Sequence, residues 1–302
     1  MLEKIEDFLN YLSLEKGSPR NTLIAYRNDL TQLARFLNEQ DSFEVKSWDE
    51  VDKDMIIAYI LHLKEREYAT STVARKVAAT KSFFKNFLMP EELIEDDPTA
   101  TLDSPKVKKP LPKTISPEDM EQLLAEPAKN STPKALRDKA MLELLYATGM
   151  RATELVGLDI DDVNLPSKSV RVIGKGDKER IIPIHGRAVK AIETYLQKGR
   201  LPFLKDPDER ALFLNPRGER LTRQGLWLII KDYAERAGLD PDISPHTIRH
   251  SFATHMLESN EATLVDIQQF LGHANISTTQ IYIRVTSKHK RLVYDKAHPR
   301  AK

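Results

Sequence analysis

Apolar residues in the first third of the chain recur at helical spacing. Leu2, Ile5, Phe8, Leu9 and Leu12 share one face of a helix that Gly17 stops. Ser18-Pro19 opens a longer segment with Leu23, Tyr26, Leu30, Leu33 and Leu37 on one side. Ser47 with Glu50 makes a capping box, which predicts the start of a third helix carrying Ile56, Ile57, Ile60 and Leu63. A fourth helix runs through TSTVARKVAATKSFFKNFL and ends before Met89-Pro90. No strand pattern of any strength precedes residue 165. Four helices with short connections predict a small bundle.

The pattern then breaks. SPKVKKPLPKTISPEDMEQLL holds four prolines and four lysines before helical periodicity resumes, and such a stretch favours extended, solvated backbone. It reads as a linker between an N-terminal helical domain, residues 1–108, and a C-terminal domain, residues 109–302. In the second domain PKALRDKAMLELLYATG predicts a helix with Leu136, Met141, Leu144 and Leu145 inward and Gly149 at its end. SVRVIGKGDKERIIPI predicts a β-hairpin, with Val170 and Val172 alternating before the turn and Ile181, Ile182 and Ile184 after it. Helices dominate again from about Arg187. The fold class is therefore mainly α with a small β-hairpin or sheet in the C-terminal domain, an α+β protein of two domains.

Composition narrows the function classes. Hydrophobic residues are 40% and charged residues 30% of the 302, the balance of a soluble globular protein. No apolar run is long enough for a membrane span. The N-terminus mixes acids and bases through its apolar positions, which argues against a signal peptide and points to the cytoplasm. Zero cysteines exclude disulfides, thiolate metal sites and a cysteine nucleophile. The net charge of +1 hides an asymmetry: residues 1–108 hold 15 Lys/Arg against 20 Asp/Glu, and residues 109–302 hold 31 against 25. Local patches therefore matter more than the sum.

Four clusters carry candidate chemistry. Arg151 lies just past a glycine-terminated helix, where its guanidinium could enter a cleft; the plainer reading is a surface pair with Glu154 at i,i+3. Lys175 sits between two glycines in the hairpin turn, a place for a solvated lysine or for one that reaches beyond the sheet. His246 and Arg249 fall one turn apart on a helix opened by Ser244-Pro245. His246 and His250 also have the spacing of a zinc-protease helix, but Thr247 stands where that site needs Glu. His250 and His255 are equally readable as satisfied core histidines. Finally, VDIQQFL is helical, Gly272 ends it, His273 follows, and a short helix capped by Ser277 or Thr278 would carry Tyr282. A tyrosine between Ile281 and Ile283 is, taken alone, a core residue.

In this order the clusters resemble the tyrosine recombinase (phage integrase-like) family, and within it the chromosome dimer-resolving Xer subgroup. The resemblance covers nearly the whole chain through GMRATEL, VIGKGDKERIIPI, HTIRHSFATHML, LGHANISTTQIY, the linker PLPKTIS and the terminal AHPRA. It implies that Arg151, Lys175, His246, Arg249 and His273 surround a scissile phosphate and that Tyr282 is the nucleophile. One flank departs: Arg284 stands where Xer relatives commonly have His. The chemistry is coherent. Attack on a phosphodiester builds negative charge on the non-bridging oxygens, and two guanidiniums supply planar two-pronged donors for it. Tyrosine, with a pKa near ~10, needs those cations or a base such as His246 to lose its proton. Lys175 would protonate the departing 5′ oxygen. A covalent phosphotyrosyl link preserves the energy of the broken bond, so no cofactor and no metal are expected.

The resemblance also implies double-stranded DNA held between the two domains. Arg75, Lys76, Lys81 and Lys85 lie in an acid-free helix of an otherwise acidic domain and are the expected groove-entering set, against the alternative of a solvated basic face. Arg223 and Gln224 open a C-domain helix and are apt for guanine and adenine edges. The tail RLVYDKAHPRAK resembles a segment passed to a neighbour, with Leu292 and Val293 docking there, in a homotetramer or a heterotetramer with a sister recombinase on two DNA sites. A septal DNA translocase is a further possible partner. The competing readings are a mobile-element integrase, a type IB topoisomerase-like relaxation activity, and a binding-only DNA protein.

Overall fold

The computed structural model describes residues 1–39, 43, 45–103, 105, 114–174, 179–259, 261–272 and 287–301, with the backbone alone for 287–290. The chain divides into two compact units, Met1–Pro110 and Leu111–Lys302. Among the described residues no helix is long and apolar enough to cross a membrane.

The first unit is built from α1 (Leu2–Leu14), α2 (Arg20–Glu39), α3 (Lys53–Glu65) and α4 (Thr70–Phe83), the last continuing as a π-turn over Phe84–Leu88. Ile5, Phe8, Leu9 and Leu12 are the buried face of α1, as their spacing predicts. The core is held by interlocked rings: Phe83 meets Phe8 edge-on at 5.3 Å and Trp48 at 4.9 Å. Such pairs contribute about 0.5–1.5 kcal/mol each beyond the area they bury. The capping box at Ser47 does not start α3. Glu50 accepts from Lys46 N (2.6 Å) and Ser47 N (3.4 Å) around a single 3-10 turn, Trp48–Glu50. The chain then straightens at Val51, and Asp52 caps α3 by accepting from Met55 N at 2.9 Å. Starting the helix there puts Ile56, Tyr59 and Leu63 on its buried face, with Ile57 and Ile60 only half-buried.

The second unit comprises α5 (Pro117–Ala125), α6 (Pro133–Thr148), α7 (Ala152–Gly157), β1 (Val163–Asn164), β2 (Ser169–Ile173), β3 (Glu179–Pro183), α8 (Gly186–Thr194), α9 (Arg223–Arg236), α10 (Pro245–Glu258), α11 (Leu264–Leu271) and α12 (Ser287–Ala297). The strands form an antiparallel sheet in the order β1-β2-β3. β2 and β3 are the expected hairpin, registered Val170 with Ile182 and Val172 with Arg180. At its centre α6 is buried continuously from Ala140 to Thr148. Its buried charges are paired: Arg137 donates twice to Asp138 (2.9 and 2.7 Å) and once to Leu214 O (2.9 Å). An unpaired charge there would cost several kcal/mol.

The chain's end packs into this same unit. Tyr294 of α12 is buried and donates to Ala147 O at 2.9 Å, and Arg300 donates to Glu143 at 2.8 Å. Val293, at 9% exposure, is part of this core, while Leu292, at 61%, faces out. Neighbours in a helix do not share a face, so the two side chains meet different surroundings within this unit. The His185 and His298 rings lie 4.9 Å apart beside Glu143 and Arg300. Burial above all, with the Arg300 guanidinium nearby, holds His185 down to about 2 and His298 down to about 3.

An unfolded histidine titrates near ~6.5, so between that pH and the folded values the unfolded chain binds more protons. Stability conferred by neutral His185 and His298 is complete above about 6.5 and is lost as pH falls, at up to about 1.4 kcal/mol per pH unit for each ring. Urea denaturation between pH 7.5 and 5 should show this slope, and His298→Gln should flatten it; an unchanged slope in that variant would count against the assignment.

Candidate active site

Arg151, Glu154, Arg180 and Arg249 converge around the end of α6. That helix stops on Gly149, whose φ of +58° is left-handed. A side chain at Gly149 would also collide, since a Cβ there would overlap Phe252 Cδ1 and lie 2.9 Å from Leu271 Cδ2. The backbone then turns straight into α7, where Arg151 holds the N-cap position and Glu154 closes the first turn by accepting from Arg151 N at 2.7 Å. The same carboxylate accepts from Arg151 Nη1 at 2.9 Å. The i,i+3 pair read from the sequence is therefore present, and it forms one edge of a larger cluster.

Arg249 comes from the middle of α10, which Ser244 caps by accepting from Thr247 N at 3.2 Å. Its guanidinium is buried and straddles two helix ends. Nη1 donates to Gly149 O at 2.7 Å and Nη2 to Leu271 O at 2.9 Å, at the C-termini of α6 and α11. Unsatisfied carbonyls and the negative ends of two helix dipoles suit a cation. Two of its five N–H groups are used this way. His246, a turn earlier on α10, is exposed.

The residue that sequence reading missed is Arg180. It donates to Glu154 through both Nη1 (3.0 Å) and Nη2 (2.8 Å), and its Nε donates to Phe270 O at 3.0 Å. Three guanidiniums thus gather about one carboxylate. Burial pushes the Glu154 carboxyl up, but hydrogen bonds from Arg180 and Arg151 outweigh it and hold the group below its ordinary range. Burial, and then the Arg151 and Arg180 charges, bring Arg249 down to about 10 against the opposing pull of Glu154. The cluster carries surplus positive charge and so favours an incoming anion.

Lys175, His273 and Tyr282 lie outside the described residues. His255 belongs to the core: its Nδ1 accepts from Tyr146 OH and its Nε2 donates to Ile115 O, both at 2.9 Å. Arg223 and Gln224 are exposed in the first turn of α9, which Thr222 caps by accepting from Gly225 N at 3.0 Å. In the first unit the basic set of α4 divides. Lys76 is turned inward at 4% exposure, donating to Asp29 (2.9 Å) and Gln32 (2.6 Å) of α2. It is corrected from groove reader to internal counter-charge, because buried Asp29 needs a cation. Arg75 also pairs with Asp29 but stays partly exposed. Lys81 donates to Leu102 O at 2.5 Å, and Lys85 is exposed.

Gly149→Ala combines a left-handed backbone with a collision at Phe252, and should destabilise the protein by about 2–4 kcal/mol in chemical denaturation. It should also displace the carbonyl that seats Arg249.

Residues 113–289 match the phage integrase family, and residues 5–92 match the phage integrase N-terminal SAM-like domain. The chain is 51% identical to the tyrosine recombinase XerC of Herpetosiphon aurantiacus, over 99% of this chain and 96% of that protein. It is 44% identical to the tyrosine recombinase XerD of Halalkalibacterium halodurans, over 98% of each. In structure it resembles the XerH site-specific recombinase bound to its difH substrate in a pre-cleavage complex, with a TM-score of 0.66, 22% identity, and coverage of 91% of this chain and 78% of that one. The chain belongs to the phage integrase family and, within it, to the Xer tyrosine recombinases.

Proposed function

We propose that the protein cleaves and rejoins DNA at a specific core site through a 3′-phosphotyrosyl link to Tyr282, and that it acts in resolving chromosome dimers. The observation that carries this reading is the surplus charge, among the described residues, of the Arg151–Arg180–Arg249 cluster around the carboxylate of Glu154. A scissile phosphate is the anion such a site suits. Arg151 and the unused N–H groups of Arg249 bind its non-bridging oxygens and stabilise the charge that grows there during attack. His246 takes the tyrosine proton, His273 adds a donor to the phosphate, and Lys175 protonates the leaving 5′ oxygen.

DNA contact follows from the same reading. Arg223 and Gln224 read base edges from the exposed first turn of α9. Arg75 and Lys85 contact phosphates from the first unit. A tetramer on two sites, of this chain alone or with a sister recombinase, would exchange the strands, with a septal translocase as a candidate activator. The reading places its work in the cytoplasm.

A suicide duplex nicked near the scissile position should yield a covalent protein–DNA adduct. Tyr282→Phe should abolish the adduct while leaving half-site binding intact, and an adduct persisting in that variant would rule out Tyr282 as nucleophile. Gln224→Ala should cost about 1–3 kcal/mol of discrimination among core-site variants in competition binding; equal discrimination would remove Gln224 from the base-reading set.

A further inference from the structure

The hairpin carries an arginine where its own pattern calls for an apolar residue. β3 alternates, so Arg180, Ile182 and Ile184 share one face and Glu179 and Ile181 point the other way. Ile182 and Ile184 are fully buried, whereas Ile181 is 60% exposed. In register Arg180 stands opposite Val172, itself buried, and the arginine side chain is only 11% exposed. A charge on the core face of a strand costs free energy unless its partners are good. Here they are: Glu154 receives two hydrogen bonds, and Phe270 O receives the third.

Those partners lie on different elements. Glu154 is on α7 and fixes Arg151, by backbone and by guanidinium. Phe270 is in the last turn of α11, next to the Leu271 carbonyl that seats Arg249. The fit is close on the α11 side. A Cβ on Gly272 would lie 3.0 Å from Arg180 Nη1 and 3.2 Å from its Cζ, while Gly272 itself has a φ of +63°. In the sequence Arg180 follows Lys175 by five residues, and His273 follows Gly272 directly.

We propose that Arg180 is a positioning residue for strand transfer, a fork that locks the hairpin, the Arg151–Glu154 turn and the end of α11 into one register. It does not itself touch DNA. Glu154 saturates its Nη atoms on one side and Phe270 O holds its Nε, so it acts through Arg151, Arg249 and the residues flanking its two anchors. The proposal rests on the strand-transfer reading above. It deepens that reading by assigning the geometry of the cation cluster to a residue outside the resemblance-derived set.

The test uses the full chain on a nicked suicide duplex whose core site is selected from a random pool by the wild-type protein. Half-site affinity and the single-turnover rate of adduct formation are measured for Arg180→Gln, Arg180→Lys, Glu154→Gln and the Arg180→Gln/Glu154→Gln pair. A positioning role predicts affinity within about threefold of wild type and an adduct rate lower by about 30-fold or more. Arg180→Lys should stay nearly as slow as Arg180→Gln, since one ammonium keeps the charge but cannot bridge a carboxylate and a carbonyl in a fixed plane. The double variant should be little slower than either single one, because both break the same link.

The proposal is overturned if Arg180→Gln forms adduct at the wild-type rate, if affinity falls as far as rate, or if the two lesions multiply. Should Arg180→Gln fail to fold, Arg180→Lys decides the matter, and a wild-type rate in it rejects the fork. Failure of the wild-type chain itself to form a Tyr282 adduct would instead reject the strand-transfer reading.

Discussion

A buried guanidinium needs acceptors, and in the second unit the acceptors of Arg249 are the ends of two helices. α6 and α11 both stop on glycines in the left-handed region, leaving the carbonyls of Gly149 and Leu271 within reach of one side chain on a third helix, α10. The requirement propagates. Gly149 must lack a side chain for the backbone to turn and for Phe252 to pack, and that turn delivers Arg151 and Glu154 one step later. Glu154 then draws Arg180 out of the hairpin. The cation cluster is thus a by-product of how α6 and α11 end and α7 begins.

The same logic of paired burial runs through both units. Asp29 is neutralised by Lys76 and Arg75, Asp138 by Arg137, and Glu143 by Arg300 and Lys139. Some of these pairs join distant segments and others lie within α6, and each would be costly to break by removing one member. Charge in this protein is therefore divided between two tasks. Some of it fastens elements together, and the rest stays exposed for contact. Lys76 and Lys85 lie on the same run of sequence and fall on opposite sides of that division.

Much of this was legible in the sequence where the signal is local. The buried face of α1, the glycine stop of α6, the Arg151–Glu154 pair and the β2–β3 alternation all depend on residues a few positions apart. β1 has only two residues, too few for any period to register. The Ser47 capping box announces a turn without saying whether a 3-10 turn or a helix follows, and here it was the former. The fate of Lys76 depended on Asp29, 47 residues away, which no local pattern encodes. Arg180 was readable in principle. An arginine in phase with Ile182 and Ile184 is an anomaly of alternation, but the hairpin pattern around it is complete without it.

Gly272 carries a consequence for how this site can change over generations. Two separate constraints meet at that position: a backbone angle that disfavours side chains, and an arginine pressed against the space a side chain would fill. Only the second depends on residue 180. A lineage that exchanged Arg180 for a smaller residue would relax the steric constraint while keeping the conformational one, so Asn, which tolerates left-handed backbone, would become admissible at 272. Positions 154, 180 and 272 should therefore drift together among relatives, as one inherited unit rather than three independent sites.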